Sequence, residues 1–216
     1  MSASSVSAII FDLGNVLFDL DIPRTWRALE RIMQVKFDHP FAYPPTREIM
    51  YAYERGTVDT GAFVGELQRL CPGDTPVESV VEAWNAMLLQ LPPQRLPFLT
   101  ALKKRMPLYL LSNINALHLE FFYRHMRDEH GVLNWDAAYF EQTFYSNYLG
   151  MRKPDTPIYE HVIDSIGLPA EQILFIDDNE HNIRGADQLG IQTIHLGVEE
   201  EVIHHSFFQA ILTHGR

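Results

Sequence analysis

The chain contains three carboxylates, a hydroxyl and an ammonium whose positions could bring them to one site. Each follows a short apolar run or precedes a predicted helix: Asp12, Ser112, Asp177, Asp178 and Lys153. Converging carboxylates usually need a cation to relieve their repulsion, and oxygen ligands favour a hard ion such as Mg²⁺, which completes its shell with water and phosphate. The hydroxyl and the ammonium could hold the remaining phosphate oxygens. These residue types therefore predict magnesium-assisted chemistry on a phosphate group.

Short apolar runs between helical segments predict the buried strands of a parallel sheet that is covered on both faces. The predicted strands are Ala8–Phe11, Leu108–Leu111, Ile173–Ile176, Gln192–His195 and, at an edge of the sheet, Gln142–Tyr145. Ligands of open α/β sheets bind beyond the carboxyl ends of the strands. Since Asp12, Ser112 and Asp177 directly follow three of these runs, we expect the polar residues to meet there.

Capping residues and apolar spacing predict the helices between the strands. Thr156 is the predicted N-cap of one helix, with Pro157 as its first residue. A second helix is predicted over Asn182–Leu189, where Gly190 can adopt the left-handed conformation that ends a helix. A third is predicted over Pro93–Arg105, just before the second strand.

The connection between the first two strands is far longer than a crossover needs. About 95 residues separate them, where a dozen or so suffice. Apolar residues at helical spacing recur within this stretch, and the segment Thr75–Glu78 predicts a capping box. Prolines lie near both ends of the insertion, as is typical of the boundary between two structural units. The sequence therefore predicts an α/β, Rossmann-like parallel sheet core, residues 1–19 and 92–216, with an inserted helical cap subdomain, residues 20–91.

Composition limits the classes of function. The chain has 216 residues, of which 46% are hydrophobic and 21% charged, as is typical of a globular protein and not of a disordered one. Its net charge of -11 disfavours binding to nucleic acid. A single cysteine, Cys71, excludes an internal disulfide and a cysteine-based zinc site. Without a signal-peptide pattern or a long apolar stretch, we expect a cytoplasmic protein with no membrane, nucleic-acid or obligatory protein partner.

Four segments resemble the motifs of the haloacid dehalogenase (HAD) superfamily. They are Phe-Asp-Leu-Gly-Asn-Val-Leu at 11–17, Leu-Ser-Asn at 111–113, Gly-Met-Arg-Lys-Pro at 150–154 and Phe-Ile-Asp-Asp-Asn at 175–179. The resemblance covers essentially the whole chain, and the helical insertion is similar to the cap that this superfamily places after its first motif. The motifs look closest to a bacterial sugar phosphatase group that includes an α-D-glucose-1-phosphate phosphatase. The resemblance implies a Mg²⁺-dependent phosphatase acting on a small phosphomonoester, such as a hexose 1-phosphate.

The resemblance also implies a role for each motif residue. Asp12 is expected to be the nucleophile that forms an aspartyl-phosphate and, with the Gly14 carbonyl and Asp178, a ligand of Mg²⁺. Asp177 is expected to orient metal-bound water from outside the ligand shell. The phosphate is expected to be held by four further groups: Ser112, Asn113 through its amide, Lys153 through its charge, and Asn15 through its backbone N–H.

One position departs from the pattern of the superfamily. Most of its phosphatases have a second aspartate two residues after the nucleophile, which serves as general acid and base, and here that residue is Gly14. Loss of a general acid–base typically lowers a rate by about 10²–10⁴-fold. Two interpretations are therefore open at this point: a phosphatase that favours good leaving groups, and a catalytically weak protein that binds a phosphorylated metabolite.

Two other interpretations are disfavoured, and several residues are assigned packing or turn roles. A halide-removing enzyme of the same superfamily would leave Asp177 and Asp178 without a metal. No Gly-x-Gly-x-x-Gly follows the first strand, as a dinucleotide-binding oxidoreductase requires. The histidines, including His118, share no metal-ligand spacing and are expected at the surface or in packing contacts. The segment Tyr53–Gly56 is predicted to be a turn, with a substrate-specificity loop facing the site as the alternative.

Overall fold

The computed structural model describes residues 6–36, 44–197 and 200–213, and these contain a five-stranded sheet. The strands are β1 (Ala8–Phe11), β2 (Leu108–Ser112), β3 (Gln142–Tyr145), β4 (Ile173–Asp177) and β5 (Gln192–His195). Their order is β3-β2-β1-β4-β5, and every neighbouring pair is parallel. The predicted strands are confirmed, with β3 at an edge, and so is the α/β, Rossmann-like fold.

The helices fall into a group inserted after β1 and a group that flanks the sheet. The inserted helices are α1 (Ile22–Met33), α2 (Pro44–Glu54), α3 (Thr60–Arg69) and α4 (Val77–Asn85). The flanking helices are α5 (Arg95–Lys103), α6 (Ala116–His130), α7 (Trp135–Tyr139), α8 (Ser146–Leu149), α9 (Thr156–Ile166), α10 (Glu180–Asp187) and α11 (Ser206–Thr213). No helix within the described residues is long and apolar enough to span a membrane.

The inner strands β1 and β4 are buried on both faces, which is why their sequences are apolar without alternation up to the end of the strand. Phe11 of β1 packs in a cluster with Phe98 of α5 and Phe208 of α11 on one face. Ile10 belongs to a second cluster that includes Tyr159 of α9. Because β1 lies at the centre of the sheet, whatever follows it is held between rigid layers.

Two predicted helix starts are wrong by one residue each. Asp155, not Thr156, is the N-cap of α9, and no side chain caps that helix. Helix α4 begins at Val77 with Pro76 as its N-cap, so Thr75 lies outside it. The Thr75 hydroxyl donates instead to the Pro72 carbonyl at 2.9 Å. In α9 the second residue, Pro157, has no N–H for a capping side chain to bond, and in α4 the N-cap, Pro76, has no polar side chain.

Helices α10 and α5 are found where they are predicted but with different ends. Helix α10 begins at Glu180, because the Asn179 side chain accepts the His181 N–H at 2.9 Å and so caps it. Gly190 follows the helix in the left-handed conformation, with φ +81°. Helix α5 is shorter than predicted at both ends.

Helices α1 to α4 pack around an apolar cluster of their own. Its buried members are Trp26, Leu29, Met33, Met50, Tyr53, Phe63, Val64, Leu67, Val80, Ala83 and Trp84. A separate apolar core is what an independent subdomain requires, so this packing accounts for the long insertion. The boundaries of the cap, residues 20–91, stay a prediction.

Two antiparallel segments connect the inserted helices to the sheet. The Asp19 N–H donates to the Gln90 carbonyl at 2.8 Å, and the Asp21 N–H donates to the Met87 carbonyl at 2.9 Å. The buried Arg95 side chain donates to the Asp19 carboxylate at 2.7 Å. These bonds fix the entry and exit of the insertion beside the end of β1.

Candidate active site

Asp12 lies at the carboxyl end of the central strand, and 8% of the residue is exposed. Its backbone N–H still belongs to the sheet and donates to the Ile176 carbonyl at 2.9 Å. Burial raises the pKa of Asp12 to about 7 against the opposing charge of Lys153, and Asp177 and Asp178 raise it further. A cation close to this carboxylate would therefore favour its ionised form.

The Lys153 ammonium is enclosed beside Asp12, with 1% of its side chain exposed. It donates to Asp12 Oδ1 at 2.8 Å, to Asp177 Oδ2 at 2.6 Å and to the Leu111 carbonyl at 2.9 Å, which accounts for its three N–H bonds. Burial alone would lower the pKa of this ammonium, but Asp12 and Asp177 raise it above its ordinary value. Lys153 is therefore a fixed positive charge next to Asp12.

Asp177 is fully buried, and both of its oxygens accept hydrogen bonds from the protein. Oδ1 accepts the Asn179 N–H at 2.8 Å, and Oδ2 accepts from Lys153. The Asn182 amide lies within hydrogen-bond distance of both oxygens, at 3.1 and 3.0 Å. These bonds place Asp177 so that it positions Lys153. The predicted role of Asp177, to orient metal-bound water, stays a prediction.

The donors left for a metal ion are oxygen atoms at the same edge of the sheet. One oxygen each from Asp12, Asp177 and Asp178 lies within 4.8 Å of the others. Since Asp177 is occupied, the available donors are Asp12, Asp178 and the Gly14 carbonyl, to which none of the described residues donates a hydrogen bond. Two carboxylates and a carbonyl, with room for water and phosphate, fit Mg²⁺. That these three residues bind the ion stays a prediction.

Asn15 and Asn113 form hydrogen bonds within the protein at the edge of the site. The Asn15 N–H donates to the Phe18 carbonyl at 2.8 Å within the turn after β1, and its contact with phosphate stays a prediction. Its side chain donates to Asp178 Oδ2 at 2.8 Å and orients that carboxylate. The Asn113 side chain donates to the Lys153 carbonyl at 2.9 Å and accepts the Lys153 N–H at 2.8 Å. This side-chain amide fixes the backbone of Lys153, and the contact of Asn113 with phosphate stays a prediction.

Ser112 remains available to bind a phosphoryl oxygen. It ends β2, is 3% exposed and lines the same cavity as Asp12. Its hydroxyl forms no hydrogen bond with any of the described residues. The structure therefore brings Ser112 to the predicted place with its donor unused.

A cavity of about 370 Å³ lies over these residues and extends to the inserted helices. The insertion and its connections contribute a mostly apolar lining: Leu20, Ile22, Trp26, Met50, Tyr51, Trp84 and Met87. Three polar side chains interrupt it, namely Glu54, His118 and Arg152. Glu54 lies in the segment Tyr53–Gly56, for which a loop facing the site is the alternative prediction, whereas His118 and Arg152 are not predicted in the site and reach it only through the tertiary fold.

Glu54 and Arg152 join α2 to the loop that carries Lys153. The Arg152 Nε donates to Glu54 Oε2 at 3.1 Å, and each side chain is at least four-fifths buried. The guanidinium carbon lies over the Tyr51 ring, 4.1 Å from its centre. Burial raises the pKa of Glu54, although Arg152 opposes the shift. The pair ties the inserted helices to the neighbour of Lys153.

The predicted turn after α2 is present and docks on the sheet core. The Tyr53 hydroxyl accepts the Leu117 N–H at 3.1 Å, and the Ser146 hydroxyl donates to the Glu54 carbonyl at 2.6 Å. These contacts hold the end of α2 beside the cavity. That the turn selects substrates stays a prediction.

Gly56→Ala is expected to destabilise the protein more than Gly73→Ala. Both glycines have left-handed backbones, with φ +65° and +60°, so both substitutions carry the same strain of about 1–2 kcal/mol. A Cβ at Gly56 would lie 2.0 Å from the Asn147 carbonyl oxygen, whereas nothing lies within 4 Å at Gly73. The clash should cost about 1–3 kcal/mol more in free energy of unfolding, measured by urea denaturation. Equal losses in the two variants would contradict the docked turn.

Gly14 has an ordinary backbone conformation, but the space next to it is filled. Its φ is not in the left-handed region, and a Cβ there would lie 2.7 Å from Leu20 Cδ1. Leu20 comes from the connection to the inserted helices, so an apolar side chain stands beside the position where the superfamily usually has its acid–base.

A protein family model described as haloacid dehalogenase-like hydrolase matches residues 6–190. The chain is 27% identical over 190 residues to a D-ribitol-5-phosphate phosphatase of Bacteroides thetaiotaomicron, a match that covers 87% of this chain and 90% of the relative. It is also 35% identical over 88 residues to the sesquiterpene phosphatase astK of Aspergillus oryzae, which covers 41% of each chain.

Solved structures resemble the whole chain as well. A HAD family enzyme from Bacteroides thetaiotaomicron is 26% identical and has a TM-score of 0.82, covering 92% of this chain and 97% of its own. The wild-type form of that enzyme in complex with magnesium and inorganic phosphate is 25% identical, with a TM-score of 0.75 over 91% and 96% of the two chains. The likeness therefore extends over both the sheet and the inserted helices.

Proposed function

The chain belongs to the haloacid dehalogenase-like hydrolase family, and from that premise we propose that it is a Mg²⁺-dependent phosphatase of a small sugar or sugar-alcohol phosphate, such as a hexose 1-phosphate. The observation that carries the proposal is the placement of Asp12, Lys153 and Asp178 around one cavity. The relative named for D-ribitol 5-phosphate and the related structure with magnesium and phosphate support it.

In the proposed reaction a carboxylate oxygen of Asp12 attacks the phosphorus atom, the bond between phosphorus and the oxygen of the leaving group breaks, and that oxygen takes a proton from solvent. Lys153 holds the Asp12 carboxylate and offsets charge on the phosphoryl group. Ser112 donates a hydrogen bond to a phosphoryl oxygen. When bound, Mg²⁺ supplies positive charge that neutralises the phosphate and its carboxylate ligands. Water then cleaves the aspartyl-phosphate, releases inorganic phosphate and restores the Asp12 carboxylate.

Asp178→Ala is expected to raise the Mg²⁺ concentration for half-maximal activity by at least about 10- to 100-fold, because one of two carboxylate ligands is lost. Asp164→Ala is the control, since Asp164 is exposed on α9. Titration of activity with Mg²⁺ after chelation and dialysis measures the shift. Full activity of the wild type in the chelated state would contradict the metal site.

Hexose 1-phosphates are expected to be hydrolysed faster than hexose 6-phosphates. An anomeric hydroxyl is the more acidic leaving group, and Gly14 supplies no proton to a poorer one. Gly14→Asp should raise the rate on the 6-phosphate by up to about 10²-fold, because the new side chain can supply the proton, and so reduce the difference between the two isomers. The flexible end of Leu20 can move aside to make room for it.

Gly14→Asn is the matched control, since it fills the same space without an ionisable group. The value of kcat/KM on both phosphates of one hexose is measured for the three proteins. Equal wild-type kcat/KM on the two isomers would show that another group transfers the proton. The same change of kcat/KM in Gly14→Asp and Gly14→Asn would show this too.

A sesquiterpenyl phosphate is the second candidate substrate, and the apolar lining of the cavity favours it. The astK relative is named as a sesquiterpene phosphatase. The same lining also contains polar groups, which suit a hydroxylated alcohol better than a terpene. They are Glu54, Arg152 and His118.

Phosphate release from a panel of esters with Mg²⁺ tests the proposal. The panel holds a hexose 1-phosphate, a hexose 6-phosphate, D-ribitol 5-phosphate, farnesyl monophosphate and p-nitrophenyl phosphate. We expect a sugar or sugar-alcohol phosphate to have the highest kcat/KM. A higher kcat/KM for farnesyl monophosphate than for the sugar and sugar-alcohol phosphates would favour the second candidate. Tight binding of an ester without release of phosphate would favour a binding protein and overturn the proposed activity.

A further inference from the structure

His118 places an aromatic, polar ring in the mostly apolar part of the cavity. It lies in the first turn of α6, is 8% exposed and lines the cavity. Its ring stacks on the Trp84 indole, with ring centres 5.0 Å apart and planes 17° from parallel. His118 therefore has a packing contact, as predicted from the sequence. This contact involves the face of the ring and leaves the role of its nitrogen atoms to be explained.

The contact of Nε2 favours the tautomer that carries its hydrogen on this nitrogen. Nε2 lies 3.4 Å from the Trp84 carbonyl oxygen, which can only accept, so the two form a hydrogen bond when Nε2 is the donor. The same oxygen accepts the Thr25 hydroxyl at 2.8 Å. Burial lowers the pKa of His118 to about 4, which keeps the ring neutral at physiological pH. A neutral ring with its hydrogen on Nε2 has a lone pair on Nδ1.

Nδ1 of His118 is an acceptor without a donor among the described residues. The other two polar groups of this lining differ, because Glu54 and Arg152 bond to each other. An acceptor in an apolar wall gains a hydrogen bond when a donor enters the cavity. Since Asp12 and Ser112 lie at the phosphate end, the group that reaches His118 is the alcohol part of the substrate.

We propose that His118 is a substrate-binding residue whose Nδ1 accepts a hydrogen bond from a hydroxyl group of the leaving alcohol. The inference rests on the proposed phosphatase function and narrows the substrate to phosphomonoesters of hydroxylated alcohols. His118 then selects substrates through this bond, while its stacked face supports Trp84.

Two variants separate the hydrogen bond from the packing. His118→Phe keeps an aromatic ring on Trp84 and removes the acceptor, whereas His118→Asn keeps an acceptor near the position of Nδ1 and removes the ring. If the hydrogen bond matters, kcat/KM for the preferred hydroxylated ester falls by about 10- to 100-fold in His118→Phe and by less in His118→Asn. If only packing matters, the order is reversed. His161→Phe is the control, because His161 lies on α9 and does not line the cavity.

Monodeoxy analogues of the same ester identify the hydroxyl. In the wild type, one analogue should lose about 10- to 100-fold in kcat/KM relative to the parent ester. In His118→Phe that analogue and the parent should be hydrolysed at similar rates, since the bond is absent in both. The inference is overturned if the ratio between analogue and parent is the same in the wild type and in His118→Phe.

The two proposals fail in different ways. If the wild type releases phosphate from no ester, including p-nitrophenyl phosphate, the phosphatase function fails and the inference fails with it. If the wild type hydrolyses p-nitrophenyl or farnesyl phosphate but distinguishes no deoxy analogue from its parent, the phosphatase function stands and only the role of His118 is overturned.

Discussion

Asp12→Asn is expected to abolish turnover while the protein stays folded. The amide has nearly the same size and can still accept from Lys153, but it cannot attack phosphorus and it removes a charge from the metal site. Loss of a covalent nucleophile lowers kcat by at least about 10⁴-fold. Steady-state kinetics measure the loss, and acid quenching with radiolabelled substrate should trap a phosphoenzyme in the wild type alone. More than a tenth of wild-type activity in the variant would contradict the role of Asp12.

The stability of the same variant gives an independent check. Burial raises the folded-state pKa of Asp12 to about 7, from an ordinary value of 3.8. In metal-free protein the ionised carboxylate is therefore disfavoured in the fold, and this penalty grows as the pH rises from about 4 to 7. Over that range Asp12→Asn should gain stability relative to the wild type in urea denaturation. Asp136→Asn is the control, because Asp136 accepts from Tyr123 and Tyr145 outside the cavity.

The sheet and the polar residues at its edge were predictable because each depends on local sequence. A short apolar run such as Ile173–Ile176 between helical segments is typical of an inner strand, and the polar residue after it lies at the carboxyl end of that strand. Parallel pairing then brings Asp12, Ser112 and Asp177 together from distant parts of the chain. Neither step requires knowledge of side-chain orientation.

The uses of individual polar groups were not predictable, because they depend on which donors and acceptors meet in three dimensions. The bonds of the Asn15 side chain to Asp178 and of the Asn113 side chain to the Lys153 backbone have no counterpart in the motifs themselves. His118 follows Ser112 by six residues with no periodic signal. It lines the cavity from the first turn of α6, where Trp84 from the inserted helices packs on its ring.

Lys153→Met is expected to lower kcat/KM by about 30- to 1,000-fold, the effect of removing a preorganised charge worth about 2–4 kcal/mol in the transition state. Methionine has a similar length, so it fills the space without the charge. Lys153→Arg should restore little, because three acceptors surround a point donor in an enclosed space and a planar guanidinium cannot match them. The value of kcat/KM for both variants on the preferred ester, with p-nitrophenyl phosphate for comparison, is the measurement.

Lys153→Met should also lower the free energy of unfolding, because Asp12 and Asp177 lose the cation that they share. Breaking a buried ion pair from one side costs about 3–5 kcal/mol. Adding Asp12→Asn to Lys153→Met removes one of the two unpaired carboxylates, so the double variant should be more stable than Lys153→Met alone. Urea denaturation of the single and double variants measures the coupling, and simple additivity would contradict the shared ion pair.

Mg²⁺ binding distinguishes a catalytic charge from a structural support at Lys153. Without the ammonium, the cluster of Asp12, Asp177 and Asp178 is one unit more negative, so it should attract the cation more strongly. Lys153→Met should therefore bind Mg²⁺ more tightly than the wild type in a calorimetric titration, even though its turnover is lower. If the side chain only held the site in shape, its loss would weaken Mg²⁺ binding and turnover together. A lower Mg²⁺ affinity in the variant would overturn the electrostatic role assigned to Lys153.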